Sequence, residues 1–250
     1  MLTARSGGFL PVPFLLALPA AVAGTALLAW LLARFVFSGR LGLRGVYFAV
    51  VTLAVSYLSE KIADAGDTIT GGQNGILQKV RLGVPGLSFH KGYGFYVCTA
   101  ALLVAVYVLL RWFVASPAGL VLRGVRENED RVALLGYDVA AVKRRAFVLS
   151  GALAGLAGAL FHVHEGIVSP SSVGVQLSTF VLLWVALGGR GTLLGPVVGA
   201  VGLSYLNVRL SGTLLDTWLL VVGAVLVAVI MVFPAGLFGY LNRARARAAR

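Results

Sequence analysis

The stretch LRGVRENEDRVALLGYDVAAVKRR, Leu122 to Arg145, is a charged interval in a chain that is otherwise strongly apolar. It holds four of the nine acidic residues and six of the 21 basic residues. We call residues 122–145 the charged segment. Apolar runs long enough to form helices lie on both sides of it, and charged loops between such runs are typical of membrane proteins. The pattern predicts that the charged segment connects two membrane-spanning helices.

The composition of the whole chain also indicates a membrane protein. Of its 250 residues, 59% are hydrophobic and 12% are charged, and the mean hydropathy is +0.92. A soluble domain has about 25% charged residues, so this chain has too few to cover a soluble surface. The net charge is +12, but Arg and Lys lie at the ends of apolar blocks and form no stripe with interleaved aromatic residues. This placement favours membrane borders, with lipid and not nucleic acid as the partner.

Seven apolar segments predict an all-α, polytopic fold with about seven transmembrane helices. Because about 20 residues are needed to cross a bilayer as a helix, the second and sixth segments are short. The single cysteine, Cys98, lies in an apolar run, which excludes an internal disulfide and predicts a buried, unreactive thiol. The predicted segments are 13–37, 45–59, 92–114, 146–164, 174–189, 193–208 and 215–239.

The distribution of basic residues predicts the orientation. With the N-terminus outside and each segment crossing once, the inner loops and inner span ends carry 15 Lys and Arg residues, and the outer side carries six. Basic residues concentrate on the cytoplasmic side, which favours this orientation over its reverse. It places the loop 115–145 and the basic tail 240–250 in the cytoplasm and the segment 60–91 outside. Residues 13–239 then form a single membrane-embedded domain.

Apolar residues recur in the charged segment at close to helical spacing, which predicts a short amphipathic helix along the membrane surface. Gly136 is expected to end this helix, because glycine adopts the left-handed conformation common after a helix. Asp138 is expected to cap the next one. A solvated connecting loop and a docking surface for another protein both fit these residues. The apolar residues of the pattern are Leu122, Val125, Val132 and Leu135.

Two glycine-rich stretches are further candidate sites. TGGQNGI, residues 70–76, fits either a simple turn at Asn74-Gly75 or a loop that approaches a ligand or partner closely. GGRGTLLGP, residues 188–196, fits a tight turn between two short helices or a broken helix beside a pathway, with the turn favoured. It lacks the lysine and the preceding strand of a phosphate-binding loop, so we expect no phosphate binding there.

Other polar clusters give no catalytic or metal site. FHVHEG, residues 161–166, lacks the spacing of a zinc motif and predicts an interfacial cluster. Ser150 and Ser204 have no identifiable catalytic partner, so we expect no enzyme activity and no cofactor. Small residues favour close helix packing, and this is the expected role of three glycines on one span, Gly151, Gly155 and Gly158.

Five stretches, taken together and in this order along the chain, resemble the LivM-type permeases, membrane subunits of ATP-binding-cassette (ABC) importers for branched-chain amino acids. The resemblance covers about residues 40–241. It implies an inner-membrane permease subunit that works with a second related permease, two ATP-binding subunits and an extracytoplasmic solute-binding protein. The stretches are LRGVYFAVVTLA (43–54), ITGGQNGI (69–76), GLVLRGVRENEDRVALLGYDVAAVKRRAFVLSGALAGLAGAL (119–160), LGGRGTLLGPVVGA (187–200) and VFPAGLFGYL (232–241).

The resemblance also implies roles for individual residues. The charged segment would be the coupling segment that docks on the ATP-binding subunit, and the glycine-rich stretches would be translocation or gating loops. The implied coupling residues are Arg126, Glu127, Asn128, Glu129, Leu135 and Gly136. The implied loop residues are Thr70, Gly71, Gly72, Asn74, Gly75, Gly188, Gly189, Gly191, Gly195 and Pro196.

Three alternatives stay open at this point. A urea or short-chain amide importer uses a similar permease, an ATP-independent transporter or channel would need no partner, and a structural subunit would transport nothing. Members of the family begin with additional membrane-embedded sequence that has no counterpart here. Either the true start lies upstream of Met1 or the chain is a truncated relative.

Overall fold

A computed structural model describes residues 14–38, 46–66, 71–72, 75–77, 82–84, 87–89, 93–172, 174–189 and 191–213, with the single residues Gly223 and Met231. The chain divides into two compact units, Met1–Val173 and Gly174–Arg250. The last predicted span, 215–239, and the basic tail, 240–250, lie outside the described residues apart from those two positions.

The first unit is mainly helical. Its helices are α1 (Phe14–Ser38), α2 (Val46–Ala65), α3 (Tyr93–Ala115), α4 (Pro117–Glu127), α5 (Glu129–Leu134) and α6 (Val139–Glu165). The predicted spans 13–37 and 92–114 agree with α1 and α3 to within one residue. The predicted spans 45–59 and 146–164 are too short, because α2 continues to Ala65 and α6 begins at Val139.

Two small antiparallel ribbons depart from an all-α chain. β1 (Ile76–Leu77) pairs with β4 (Ile167–Val168), and β2 (Leu82–Val84) pairs with β3 (Leu87–Phe89). The sequence between β2 and β3 is Pro85-Gly86, a pair typical of tight turns. Both ribbons lie where glycine and proline interrupt the helical pattern, so short extended pieces replace helix there. A 3₁₀ turn, Pro170–Ser172, follows β4.

Helices α1 and α6 form the main packing contact of the first unit and run antiparallel. Gly151 of α6 lies against Ala29 of α1, and Gly155 lies against Thr25, so that helix backbones approach where side chains are small. The expected packing role is confirmed for these two glycines. Gly158 faces open space instead.

Large apolar side chains remain exposed over most of the described surface. Helix α3 has 23 residues and none of them is buried, and Trp112, Tyr96 and Leu103 are among those exposed. Cys98 is exposed on this helix, so the prediction of a buried thiol is wrong within this chain. An unpartnered surface of this kind fits lipid and not water. By length and composition, three helical stretches within the described residues can cross a membrane: Ala17–Phe37, Tyr93–Ala115 and Val139–Glu165.

The second unit contains a helical hairpin. Helix α7 (Val175–Gly188) and helix α8 (Gly195–Thr213) pack along each other. Their apolar parts, Leu177–Gly188 and Gly195–Leu206, are shorter than the three candidate spans. The predicted spans 174–189 and 193–208 therefore correspond to helices, but to short ones.

Candidate functional site

The charged segment folds as two helices that meet at one residue, not as the single amphipathic helix that the spacing predicts. Asn128 has an extended backbone, with φ −159° and ψ 107°, and it ends α4 and begins α5. Its backbone N–H donates to the Gly124 carbonyl at 2.9 Å, and its side-chain oxygen accepts from the Arg131 N–H at 2.9 Å. One residue therefore caps both helix ends, which leaves a sharp bend.

The inner side of this bend is apolar. Val125 of α4 and Val132 of α5 are both buried. A Cβ atom on Gly124 would lie 3.1 Å from a methyl carbon of Val132, so the two helices fit closely because position 124 is a glycine. This confirms Val125 and Val132 as members of the predicted apolar face.

The second half of the segment follows the sequence prediction closely. Gly136 has φ 87°, in the left-handed region, directly after α5. Two residues later, the side chain of Asp138 accepts a hydrogen bond at 3.0 Å from the Ala141 N–H and caps α6. The helix ends are thus fixed on both sides of a connection of four residues, 135–138.

An ion pair ties α5 to α6. The ammonium group of Lys143 contacts the carboxylate of Glu129, and the two side chains are 22% and 32% exposed. The pair crosses the turn at Gly136, so it holds the bent α4–α5 unit against the start of α6. Sequence reasoning assigned Glu129 to the outward-facing contact, but in the structure this residue has a partner within the chain.

The tip of α5 exposes apolar side chains. Leu134 is 88% exposed, Leu135 is 72% exposed and Tyr137 is 51% exposed. Leu135, which helical spacing groups with Val125 and Val132, is exposed while those two are buried, because the bend at Asn128 resets the helical register. Leu134 and Tyr137 were not among the predicted coupling residues. The sequence signal that could have identified this exposed tip is the pair of leucines directly before the helix-ending glycine.

The predicted coupling residues lie together along this unit. Arg126, Glu127, Asn128, Leu135 and Gly136 are exposed, and Glu129 is partly covered. Charged side chains at the bend and apolar side chains at the tip thus form one outward surface. Burial of such apolar groups, with charges at the edge, is the usual anatomy of a protein interface.

The outer glycine-rich loop is joined to the far end of α6. Gly71, Gly72 and Gly75 all have positive φ angles, and the Gly75 N–H donates to the Gly72 carbonyl at 3.1 Å. A Cβ atom on Gly75 would overlap the backbone of Val168. Positive φ and close approach both require glycine here, and the β1–β4 pairing continues the contact. Thr70 and Asn74 lie outside the described residues.

The second glycine-rich stretch forms the turn of the α7–α8 hairpin. Gly188 ends α7, Gly189 has φ 123°, and Gly195 begins α8 with Pro196 in its first turn. The Thr192 hydroxyl accepts a hydrogen bond from the Gly195 N–H at 3.1 Å. The geometry is a tight turn between two short helices. Gly191 is exposed, and Arg190 lies outside the described residues.

The His and Glu cluster at the end of α6 makes contacts within the chain. His162 Nδ1 lies 3.3 Å from the Ile167 carbonyl oxygen, and the ring of His164 stacks on Phe95 with centroids 6.3 Å apart. Across the described ranges, His, Cys, Asp and Glu form no group of three that could hold a metal ion.

Comparison with known proteins gives one family. Residues 1–230 match the family described as the branched-chain amino acid transport system / permease component. The chain is 30% identical over 220 residues to the high-affinity branched-chain amino acid transport system permease protein LivM of Salmonella typhimurium, and 31% identical over 220 residues to the LivM protein of Escherichia coli. Each alignment covers 79% of this chain and 52% of the relative. The LivH permease protein of Escherichia coli is 27% identical over 145 residues, or 58% of this chain and 46% of the relative.

The chain spans about half the length of the curated LivM relatives from the two bacteria. No solved structure matches it. Since the family match extends over most of the 250 residues, and the described helices are those of a membrane protein, the chain belongs to the branched-chain amino acid permease family, whose members are the multi-pass membrane components of ABC importers and not their catalytic subunits.

Proposed function

We propose that this chain is a permease subunit of an ATP-driven importer and forms part of the pathway for leucine, isoleucine, valine or a related amino acid across the cytoplasmic membrane. Its partners are a second related permease, two ATP-binding subunits and an extracytoplasmic binding protein. The family match and the names of the relatives support this proposal.

One observation carries the coupling role, namely the bent α4–α5 unit with its exposed apolar tip. A leucine pair exposed in a loop between long apolar helices is costly unless another surface covers it. In the proposed assembly that surface is a groove of the ATP-binding subunit, which Leu134 and Leu135 enter while Arg126 and Glu127 set the register.

Helix α6 then transmits a movement of the docked α4–α5 unit towards the outer face of the membrane. Its inner end is fixed to α5 by the Glu129–Lys143 ion pair and by the Asp138 cap. It is 27 residues long, and its outer end leads through Gly166 into β4, which pairs with the glycine-rich loop at β1. Nucleotide binding shifts the permease only if the two permease states make different contacts with the ATP-binding subunit. Because α6 is one continuous helix, a movement of the docking unit at the inner face also changes the contacts of the glycine-rich loop at the outer face.

The packing of the first unit is compatible with an outer N-terminus and a cytoplasmic charged segment. Antiparallel α1 and α6 fit one inward and one outward crossing. The rings of Phe37, Phe48 and Phe147 meet with centroids 5.5 to 6.3 Å apart, at the ends of α1, α2 and α6 that this orientation places inside.

A docking variant tests the coupling role. Burial of one leucine side chain contributes about 1.5–3 kcal/mol, so Leu135→Ser should lower co-purification of the ATP-binding subunits by about ten-fold or more. The matched control is Leu120→Ser, a leucine in the first half of α4 that is also exposed. Equal recovery of the ATP-binding subunits with both variants and the unchanged chain would contradict the proposal.

A further inference from the structure

A long apolar groove lies between α3 and α6, away from the charged segment. It has a volume of about 880 Å³. Its walls include Leu102 and Val106 from α3 and Leu153 and Leu156 from α6. The Thr99 hydroxyl on the α3 wall donates to the Phe95 carbonyl at 2.9 Å. The other polar side chains of the lining, Tyr96, His164 and Glu165, lie at one end, so the rest of the groove takes an apolar body.

The groove has the length of one membrane leaflet. It extends from Phe95 to Val106 on α3 and from Leu153 to Glu165 on α6. At 1.5 Å per residue these stretches are about 16 and 18 Å long. The hydrocarbon core of a bilayer is about 30 Å thick, or about 15 Å per leaflet. An extended acyl chain of one leaflet therefore matches the groove in length as well as in polarity.

The mouth of the groove is polar and anionic. Glu165, exposed at the last position of α6, lines it, and Tyr96 and His164 lie at the same level. The C-terminal end of a helix carries partial negative charge from its free carbonyl groups, which adds to the carboxylate. No Lys or Arg is among the described residues that line the groove. Of the described side chains at the mouth, the carboxylate of Glu165 therefore favours a cation.

We propose that the α3–α6 groove is a binding site for a phospholipid with a primary ammonium headgroup, phosphatidylethanolamine, with an acyl chain along the leucine walls and the ammonium group at Glu165. A free amino acid fits poorly, because it has no apolar chain long enough to cover the leucine walls. The site requires only that α3 and α6 lie in a membrane, so it is independent of the proposed transport function.

Lipid retention tests the site directly. The full chain is reconstituted in nanodiscs with equal phosphatidylethanolamine and phosphatidylglycerol, extracted in mild detergent, and its bound lipids are counted by native mass spectrometry. We expect the unchanged chain to retain phosphatidylethanolamine about ten-fold over phosphatidylglycerol, the ratio that one charge-assisted hydrogen bond supplies. Glu165→Gln should abolish this preference, whereas Glu60→Gln, which removes a carboxylate near the outer end of α2, should leave it unchanged.

A second experiment fills the groove with a larger side chain. Leu156→Trp should remove both retained lipids, whereas Leu109→Trp, on α3 but outside the groove, should not. Equal retention of the two lipids by the unchanged chain would overturn the headgroup assignment, and full retention by Leu156→Trp would overturn the groove. A third measurement does not depend on the folding of that variant. In a Cys98→Ser background, the thiol of Leu156→Cys should add to a maleimide carried on an acyl chain of phosphatidylethanolamine, and equal labelling of Leu109→Cys, outside the groove, would overturn the proposal.

Discussion

At the scale of single residues, the fold depends on glycines at the points where two helices touch. Gly155 is the clearest example. The Thr25 hydroxyl that lies against it is held by hydrogen bonds to the carbonyls of Ala21 and Val22, at 2.9 and 3.1 Å. Thr25 therefore cannot move aside at low cost, and a Cβ atom at position 155 must push α1 and α6 apart.

Valine substitutions at two glycines of α6 test this contact. Gly155→Val should lower the free energy of unfolding by about 1–3 kcal/mol more than Gly158→Val, because overpacking costs this much and position 158 faces open space. Helix propensity is the same for both variants, so it cancels. The measurement is thermal unfolding in detergent, in which each kcal/mol shifts the midpoint by roughly 2–4 °C. Equal midpoints would show that α1 and α6 do not pack as described.

The Glu129–Lys143 pair permits a charge-reversal experiment. Lys143→Glu places two carboxylates together and should detach α5 from α6, so that recovery of the ATP-binding subunits falls several-fold. The exchange of both residues, Glu129→Lys with Lys143→Glu, restores the attraction and should restore recovery. The pair is partly exposed and contributes about 0.2–1 kcal/mol, so overall folding should change little. If the double variant recovers no more ATP-binding subunit than Lys143→Glu alone, Glu129 contacts the partner and not Lys143.

At the scale of elements, residue chemistry predicted helix ends better than helix faces. Gly136 and Asp138 were placed correctly because a left-handed glycine and a capping carboxylate act locally. Helical spacing grouped Leu135 with Val125 and Val132, but only those two are buried, because helical spacing assumes that no bend intervenes and the chain bends at Asn128. Asn has good capping ability, but only the contact between Gly124 and Val132 shows that the chain turns there. The β1–β4 pairing was missed because it joins residues 90 positions apart in the sequence.

The α7–α8 hairpin depends on one glycine in the same way. A Cβ atom on Gly188 would overlap the backbone of Gly195. Gly188→Ala should therefore destabilise the hairpin by about 1–3 kcal/mol, while Gly191→Ala, with nothing within 4 Å of the added carbon, should be nearly neutral. Hydrogen exchange in the last turn of α7 and the first turn of α8 measures the difference. Unchanged protection in Gly188→Ala would contradict the close turn.

At the scale of the whole molecule, the composition predicted the class of protein, since exposed apolar helices are the direct consequence of few charged residues. The family came from short motifs in a fixed order. Neither the composition nor the motifs identify the substrate, because a permease shares selectivity with its binding protein. In addition, no described cavity carries the cation and anion sites that an amino acid requires.

The central claim is that this chain moves branched-chain amino acids with energy supplied through the charged segment. Uptake of labelled leucine by proteoliposomes tests it most directly, with the second permease, the ATP-binding subunits and the binding protein present, ATP on the side of the ATP-binding subunits, and excess urea as competitor. We predict uptake that requires ATP, is insensitive to urea and falls about ten-fold or more with Leu135→Ser. Uptake without ATP, or ATP-dependent uptake that urea suppresses, would contradict the account.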